Sequence, residues 1–210
     1  MAHLRWHDMS TLYVNNIAPK TGNTINITGT FNGGVAAASN VKEVLAMLCD
    51  GGSYTVSSGT YTSQSVTAAY TPAATYADLT GSVISYTPPS GTTCVIYEFQ
   101  FQVATDNVSH AILHNRFYID GTEVTDSKRE LAGGSYPEYS AIIRQVIPIG
   151  GSASAATGRQ ASWTGAKELK IQTRVYGSGN EMKVHGTYYW DGATATQFVR
   201  PNLTITAIGS

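Results

Sequence analysis

VIYEFQFQV, residues 95–103, decides the fold class. Val95, Tyr97, Phe99, Phe101 and Val103 fall on one side of an extended chain, and Ile96, Glu98, Gln100 and Gln102 fall on the other. A period of two, apolar on one side and mostly polar on the other, is the signature of a strand with one face on a core and one in water. The same pattern recurs downstream. RFYIDGTEV (116–124) reads as a hairpin turning at Asp120-Gly121, where both positions need positive φ. ELKIQTRV (168–175) sends Leu169, Ile171, Thr173 and Val175 inward, and the run 182–190 does the same with Met182, Val184, Gly186, Tyr188 and Trp190. YSAIIRQVIPIGG and PNLTITAIG continue the series. About eight to ten strands with Gly- and Ser-rich turns predict an all-β protein, a jelly-roll-like β-sandwich over 53–210.

Composition bounds the function. Charged residues make up 13% of 210, and the net charge is -1 with 13 Lys and Arg, so no electrostatic footprint for nucleic acid or an anionic membrane is present. No apolar run reaches the ~20 residues of a membrane span, and MAHLRWHDMS lacks the apolar core of a secretory signal. The chain is expected to be soluble and unexported. Two cysteines, Cys49 and Cys94, do not make a disulfide framework in a chain of this size and are expected to be reduced.

Two segments upstream of the head read differently. LYVNNIAPKTGNTINITGTFNGG (12–34) alternates like β-structure, with Leu12 and Val14, then Ile25 and Ile27, either side of a Pro19–Asn23 turn cluster. So small an apolar face leaves a lone hairpin marginal in water. At 40–52 the period changes. Val41, Val44, Leu45 and Leu48 stand at i, i+3, i+4 and i+7, Asn40 and Glu43 form a variant capping box, and Gly51-Gly52 can stop a helix. The spacing predicts a short helix over 41–49, which is too short to hold alone and must pack on something. The expected organisation is a shaft or anchor segment over 1–39, a trimerisation helix over 40–52 and the head over 53–210.

Catalytic signatures are sparse. There is no phosphate-binding loop, GSGNEM does not complete a dinucleotide fingerprint, and no nucleophile elbow occurs. Asp106, Glu123, Asp126, Glu130 and Glu138 lie in or beside loops, where a glycosidase pair could meet, but loop acids are the ordinary solvated surface of a β-protein. His110 and His114 are four apart, about 13 Å on a strand and too far to share a metal, and His185 is placed on the outward side beside Lys183 and Thr187. No metal and no cofactor is expected. Tyr136, Tyr139 and Tyr189 are candidate contacts for a sugar ring, and Tyr is equally at home in subunit contacts.

MSTLYVNNIAPKTGNTINITG (9–29) resembles the N-termini of tail-fibre and appendage proteins of marine and cyanobacterial phages. ISYTPPSGTTCVIYEFQFQV, FYIDGTEV, IPIGGSASAATGRQASWTGAKELKIQ and HGTYYWDG resemble the C-terminal β-domains of phage virion proteins. The resemblance implies a non-enzymatic virion protein, commonly a homotrimer, in which three copies bury Leu12, Val14, Ile25 and Ile27 with Val41, Val44, Leu45 and Leu48 around an axis. Its implied partners are further copies of itself, other virion proteins and a host-surface glycan. Placement on the tail as a fibre or spike, or on the head as a decoration protein, stays open, and a polysaccharide-cleaving enzyme is the rival of a different class.

Overall fold

A computed structural model describes residues 40–105, 111–134, 138–177, 179, 182–193 and 195–209. They belong to one unit of the chain, Ala38–Ser210. Helical structure among them is confined to two 3-10 turns, Thr125–Ser127 and Trp190–Gly192.

Everything else of regular structure is antiparallel β. One sheet holds β1 (Val41–Leu48), β15 (Asn202–Gly209), β6 (Thr92–Ala104) and β10 (Glu138–Pro148) in that order, with β12 (Lys183–Val184) also pairing β6. β12 binds the end of β6 at Val103 and Ala104, beyond the part that β15 covers. The other sheet runs β4 (Ala77–Asp78), β11 (Lys167–Val175), β7 (Ala111–Ile119), β8 (Thr122–Glu123). β5 (Ile84–Tyr86) shares the outer edge of β11 with β4, and β9 (Arg129–Gly133) shares that of β7 with β8. Two small ribbons, β2 (Ser53–Val56) with β3 (Gly59–Thr62) and β13 (Gly186–Thr187) with β14 (Gln197–Phe198), complete the described strands.

Each sheet is therefore four positions wide. Counting positions along the chain, the first sheet has the order 1-8-3-6 and the second 2-7-4-5. Four antiparallel pairs nest inside one another, position 1 with 8, 2 with 7, 3 with 6 and 4 with 5, which is the jelly-roll arrangement of two Greek keys. The expected fold class is the observed one.

The opening stretch supplies the spine of the core. Val95, Tyr97, Phe99, Phe101 and Val103 are all at 2% exposure or less. Tyr97 meets Phe117 of the facing sheet with ring centroids 4.9 Å apart, the tilted contact that aromatic quadrupoles favour. Leu169, Ile171, Thr173 and Val175 are buried as the alternation requires, and Asp120 and Gly121 both have positive φ.

Two expectations are corrected. Residues 41–48 form an edge strand, not a helix. Asn40 caps nothing: its carbonyl accepts from Gly209 N at 2.8 Å. Glu43, Leu45 and Met47 point inward, while Val44, Ala46 and Leu48 point out. Aliphatic residues on both faces of the strand produce the helical spacing by superposition. His185 is fully buried, not outward. Its φ of +64° breaks the alternation between β12 and β13, so Val184, His185 and Gly186 are buried in succession. Beyond that break, Tyr188 is half-buried and Trp190 is 68% exposed, so the inward set ends at Gly186.

Candidate assembly face

The outward face of the first sheet carries the largest group of exposed aliphatics. Register sets it out in rows across β1, β15, β6 and β10. Val44 lies level with Thr206, Ile96 and Val146, Ala46 with Thr204, Glu98 and Arg144, and Leu48 with Asn202, Gln100 and Ile142. The two edge strands bear the apolar ends of the rows: Val41, Val44 and Leu48 on β1, Ile142 and Val146 on β10, each 45–56% exposed. Between them the face is mostly polar apart from Ile96, with a Glu98–Arg144 ion pair at 3.0 Å in the middle row.

Edge strands commonly carry charge or bulges that discourage pairing with another chain, and β1 has a register shift between Val41 and Glu43 while β10 carries Arg144. Both edges also present branched aliphatic side chains to solvent, the kind of exposure that a contact would cover. Three of the four residues expected from 40–52 at an interface, Val41, Val44 and Leu48, lie on this face. Leu45 does not; it is at 0% exposure in the core. Leu12, Val14, Ile25 and Ile27 lie outside the described residues.

The other candidates separate. Tyr136 is outside the described residues. Tyr139 is half-buried on the inward side of β10 with Ala141 and Ile143, and burial pushes its hydroxyl pKa up. Tyr189 is 54% exposed beside Tyr188. Asp106 and His110 are outside the described residues. Glu123 pairs with Arg116 at 3.2 Å and Glu130 with His114 at 3.3 Å, both along the β7 edge that β8 and β9 share. Their register positions are four β7 residues apart, about 13 Å, which is wider than either glycosidase carboxylate spacing. Glu138 instead accepts from Thr187 Oγ1 at 2.7 Å and from the backbone N–H groups of Tyr188 and Tyr189. Asp126 is exposed in the first 3-10 turn. Among the described residues no three His, Cys, Asp or Glu side chains gather into a metal set, and both cysteines are free thiols.

Sequence reasoning missed Glu43. This carboxylate is 6% exposed and accepts from Ser57 Oγ (2.6 Å), Ser58 N (2.7 Å), Ser58 Oγ (2.6 Å) and the Tyr86 hydroxyl (2.8 Å). Burial alone would raise its pKa, but the four donors outweigh that and hold it below the usual value. The network pins the β2–β3 turn to the sandwich edge. Its only signal in the sequence is an acid at an inward position of a two-residue period, and the helical reading hides that signal.

No protein-family model matches the chain, and no curated protein matches it. A solved structure of infectious bursal disease virus, Gt strain, is similar over 75% of this chain and 42% of its own, at 16% identity and a TM-score of 0.27. The chain thus spans less than half the length of that neighbour.

Proposed function

We propose that this protein is a structural component of a bacteriophage virion, a homotrimeric fibre- or spike-type appendage whose jelly roll is the head presented to the host surface. The observation that carries the reading is the pair of aliphatic stripes on opposite edges of one sheet. Fully burying one such side chain stabilises by roughly 1.5–3 kcal/mol, so five half-exposed ones represent a large gain left untaken by the isolated chain. The stripes are different surfaces on different edges. A contact between β1 of one copy and β10 of the next is head-to-tail, and such contacts make a ring where the rotation between copies closes and an open filament where it does not. A trimer multiplies weak host contacts by effective concentration. The resemblance of residues 9–29 and of the later β-stretches to phage appendage proteins supports the virion setting.

Light scattering on the full chain, coupled to size exclusion, tests the assembly. The expected mass is three times the 22.3 kDa of one chain, falling to one chain in Val44→Lys/Ile142→Lys. A wild-type monomer sinks the trimer. Antibody labelling of intact particles tests the setting: label on the tail supports the appendage, label over the shell makes it a decoration protein, and unlabelled particles remove it from the virion.

A further inference from the structure

The outer surface of the second sheet holds a concavity of about 390 Å³ lined by Tyr76, His114, Lys128, Arg129, Glu130 and Arg174. In a two-layer sandwich this surface faces away from the candidate assembly face, so it stays open when copies associate through the first sheet. The lining comes from the segment before β4, from β7, from the start of β9 and from β11, four stretches that only the jelly-roll pairing brings together.

Its chemistry is uneven in an informative way. Lys128, Arg129 and Arg174 face a single carboxylate, Glu130, in a chain whose net charge is -1. None of the three cations forms an ion pair with a described carboxylate, while Arg116, Arg144, Lys167 and Lys170 all do. Lys128 and Arg129 are exposed, with Arg129 Nη1 spent only on the Lys128 carbonyl at 3.0 Å. An acceptor is present too. Glu130 is spent on one contact, 3.3 Å to His114 Nε2, while Asn115, which borders the cavity, turns its side chain to the core side of β7 with Leu113 and Phe117. At the rim the Tyr176 ring is 58% exposed and stands edge-on to His114 at 5.9 Å. The Tyr76 ring is already taken, with the Arg116 guanidinium 4.0 Å from its centroid.

We propose that this concavity binds an acidic saccharide, with Lys128, Arg129 and Arg174 receiving its carboxylate or sulfate, Glu130 accepting from its hydroxyls, and Tyr176 lying against a ring face. The mixture of groups selects this class. A bare inorganic anion has no use for Glu130 and is repelled by it, and a nucleic-acid backbone would meet the same carboxylate. A sugar acid needs cationic donors, hydroxyl acceptors and a flat apolar face together. The cavity lies at the lower end of the range for small-molecule sites. The site chemistry stands alone; its identification with a host-surface glycan rests on the attachment reading above.

The test uses the full chain and a galacturonic acid trisaccharide, which carries one carboxylate per ring, titrated to about 10 mM for a weak single-site contact, with NMR observation of the His114 and Tyr176 side chains. The uncharged methyl ester of the same trisaccharide, sodium sulfate and a single-stranded oligonucleotide are run alongside. The proposal expects saturable shifts at both side chains with the acid form, at least ~10-fold weaker binding of the ester and of sulfate, and at least ~10-fold loss in Lys128→Ala/Arg129→Ala, two exposed positions, while Arg159→Ala, outside the concavity and the assembly face, binds as wild type. It is overturned by absent shifts, by equal binding of ester or sulfate, by tighter binding of the oligonucleotide, or by unchanged binding in the double variant. Binding by a chain that labels no virion would keep the site and discard the attachment reading; virion labelling without saccharide binding would do the reverse.

Discussion

The Tyr86 hydroxyl donates to the Glu43 carboxylate at 2.8 Å, which ties the edge strand of one sheet to the edge strand of the other. Tyr86 is itself held by Trp163, whose indole N–H donates to the Tyr86 carbonyl at 3.1 Å. The bond is an inter-sheet clasp between β1 and β5.

Glu43→Gln removes the charge that four donors converge on and brings an amide N–H into a pocket of donors. Hydrogen bonds to charged groups are each worth about 1.5–3 kcal/mol, and a loss of about that size is expected in urea unfolding at pH 7. Because the folded pKa is depressed, the contribution is present above the ordinary carboxylate value near 4.5 and is lost as pH falls through the folded pKa. The gap between wild type and Glu43→Gln should therefore narrow below about pH 4; a gap independent of pH would refute the charge as its source.

Neighbouring residues of β1 should respond oppositely. Leu45→Ala opens a core site and should cost about 2–5 kcal/mol. Leu48→Lys, on the outward face, should change the stability of a single chain by no more than about 0.5 kcal/mol while weakening association. Denaturant melts at a dilution where the protein is monomeric separate the two effects, and equal destabilisation by both would restore the helical reading of 41–49.

His185 supplies an acid-sensitive term. Burial against Phe99 and Phe101 lowers its pKa to about 4. Thr80 O, 3.0 Å from Nε2, can only accept, so the neutral ring carries its proton on that nitrogen. A base with a depressed folded pKa takes up its proton more readily when unfolded, so the stability is complete above about 6.5 and declines as pH falls from there to about 4. The loss should reach roughly 3 kcal/mol. His185→Asn, which tolerates the positive φ, should flatten that part of the pH profile; an unaltered slope in the variant would assign the acid sensitivity elsewhere.

Gly81 has φ +93°, and a Cβ there would sit 2.9 Å from Val66 Cγ2 and 3.3 Å from Cys49 Sγ and Phe99 Cζ. Gly81→Ala should cost at least about 1–2 kcal/mol from backbone conformation alone, with overpacking added. A variant melting at the wild-type temperature would show that the loop can move away from the core.

Legibility in the sequence followed the number of faces a strand buries. β6 and β11 put one face on the core and one in water, so a two-residue period announces them, and the Asp120-Gly121 turn follows from its residue types. β1 failed because Val41, Val44 and Leu48 are apolar on the solvent side of the strand, and that outer face laid over the inward Leu45 imitates a helix. His185 failed because one positive φ interrupts the two-residue alternation at that position, which no pattern count detects. The basic concavity gave no local signal at all: Tyr76, His114, Arg129 and Arg174 are spread over about a hundred residues, and only strand order joins them.

The nesting of the sheet has a consequence for how the chain is made. β1 hydrogen-bonds to β15, from Val41 opposite Ile208 to Leu48 opposite Asn202, so among the described strands the earliest translated waits for the last. At roughly 5–20 residues per second, ribosomal synthesis of the intervening 150-odd positions keeps β1 without its neighbour for about ten seconds or longer, with Leu45 and Met47 wet. Closure of the first sheet therefore waits on residues 202–209, and a ribosome stalled before residue 202 would hold a chain that has its hairpins but not its sandwich.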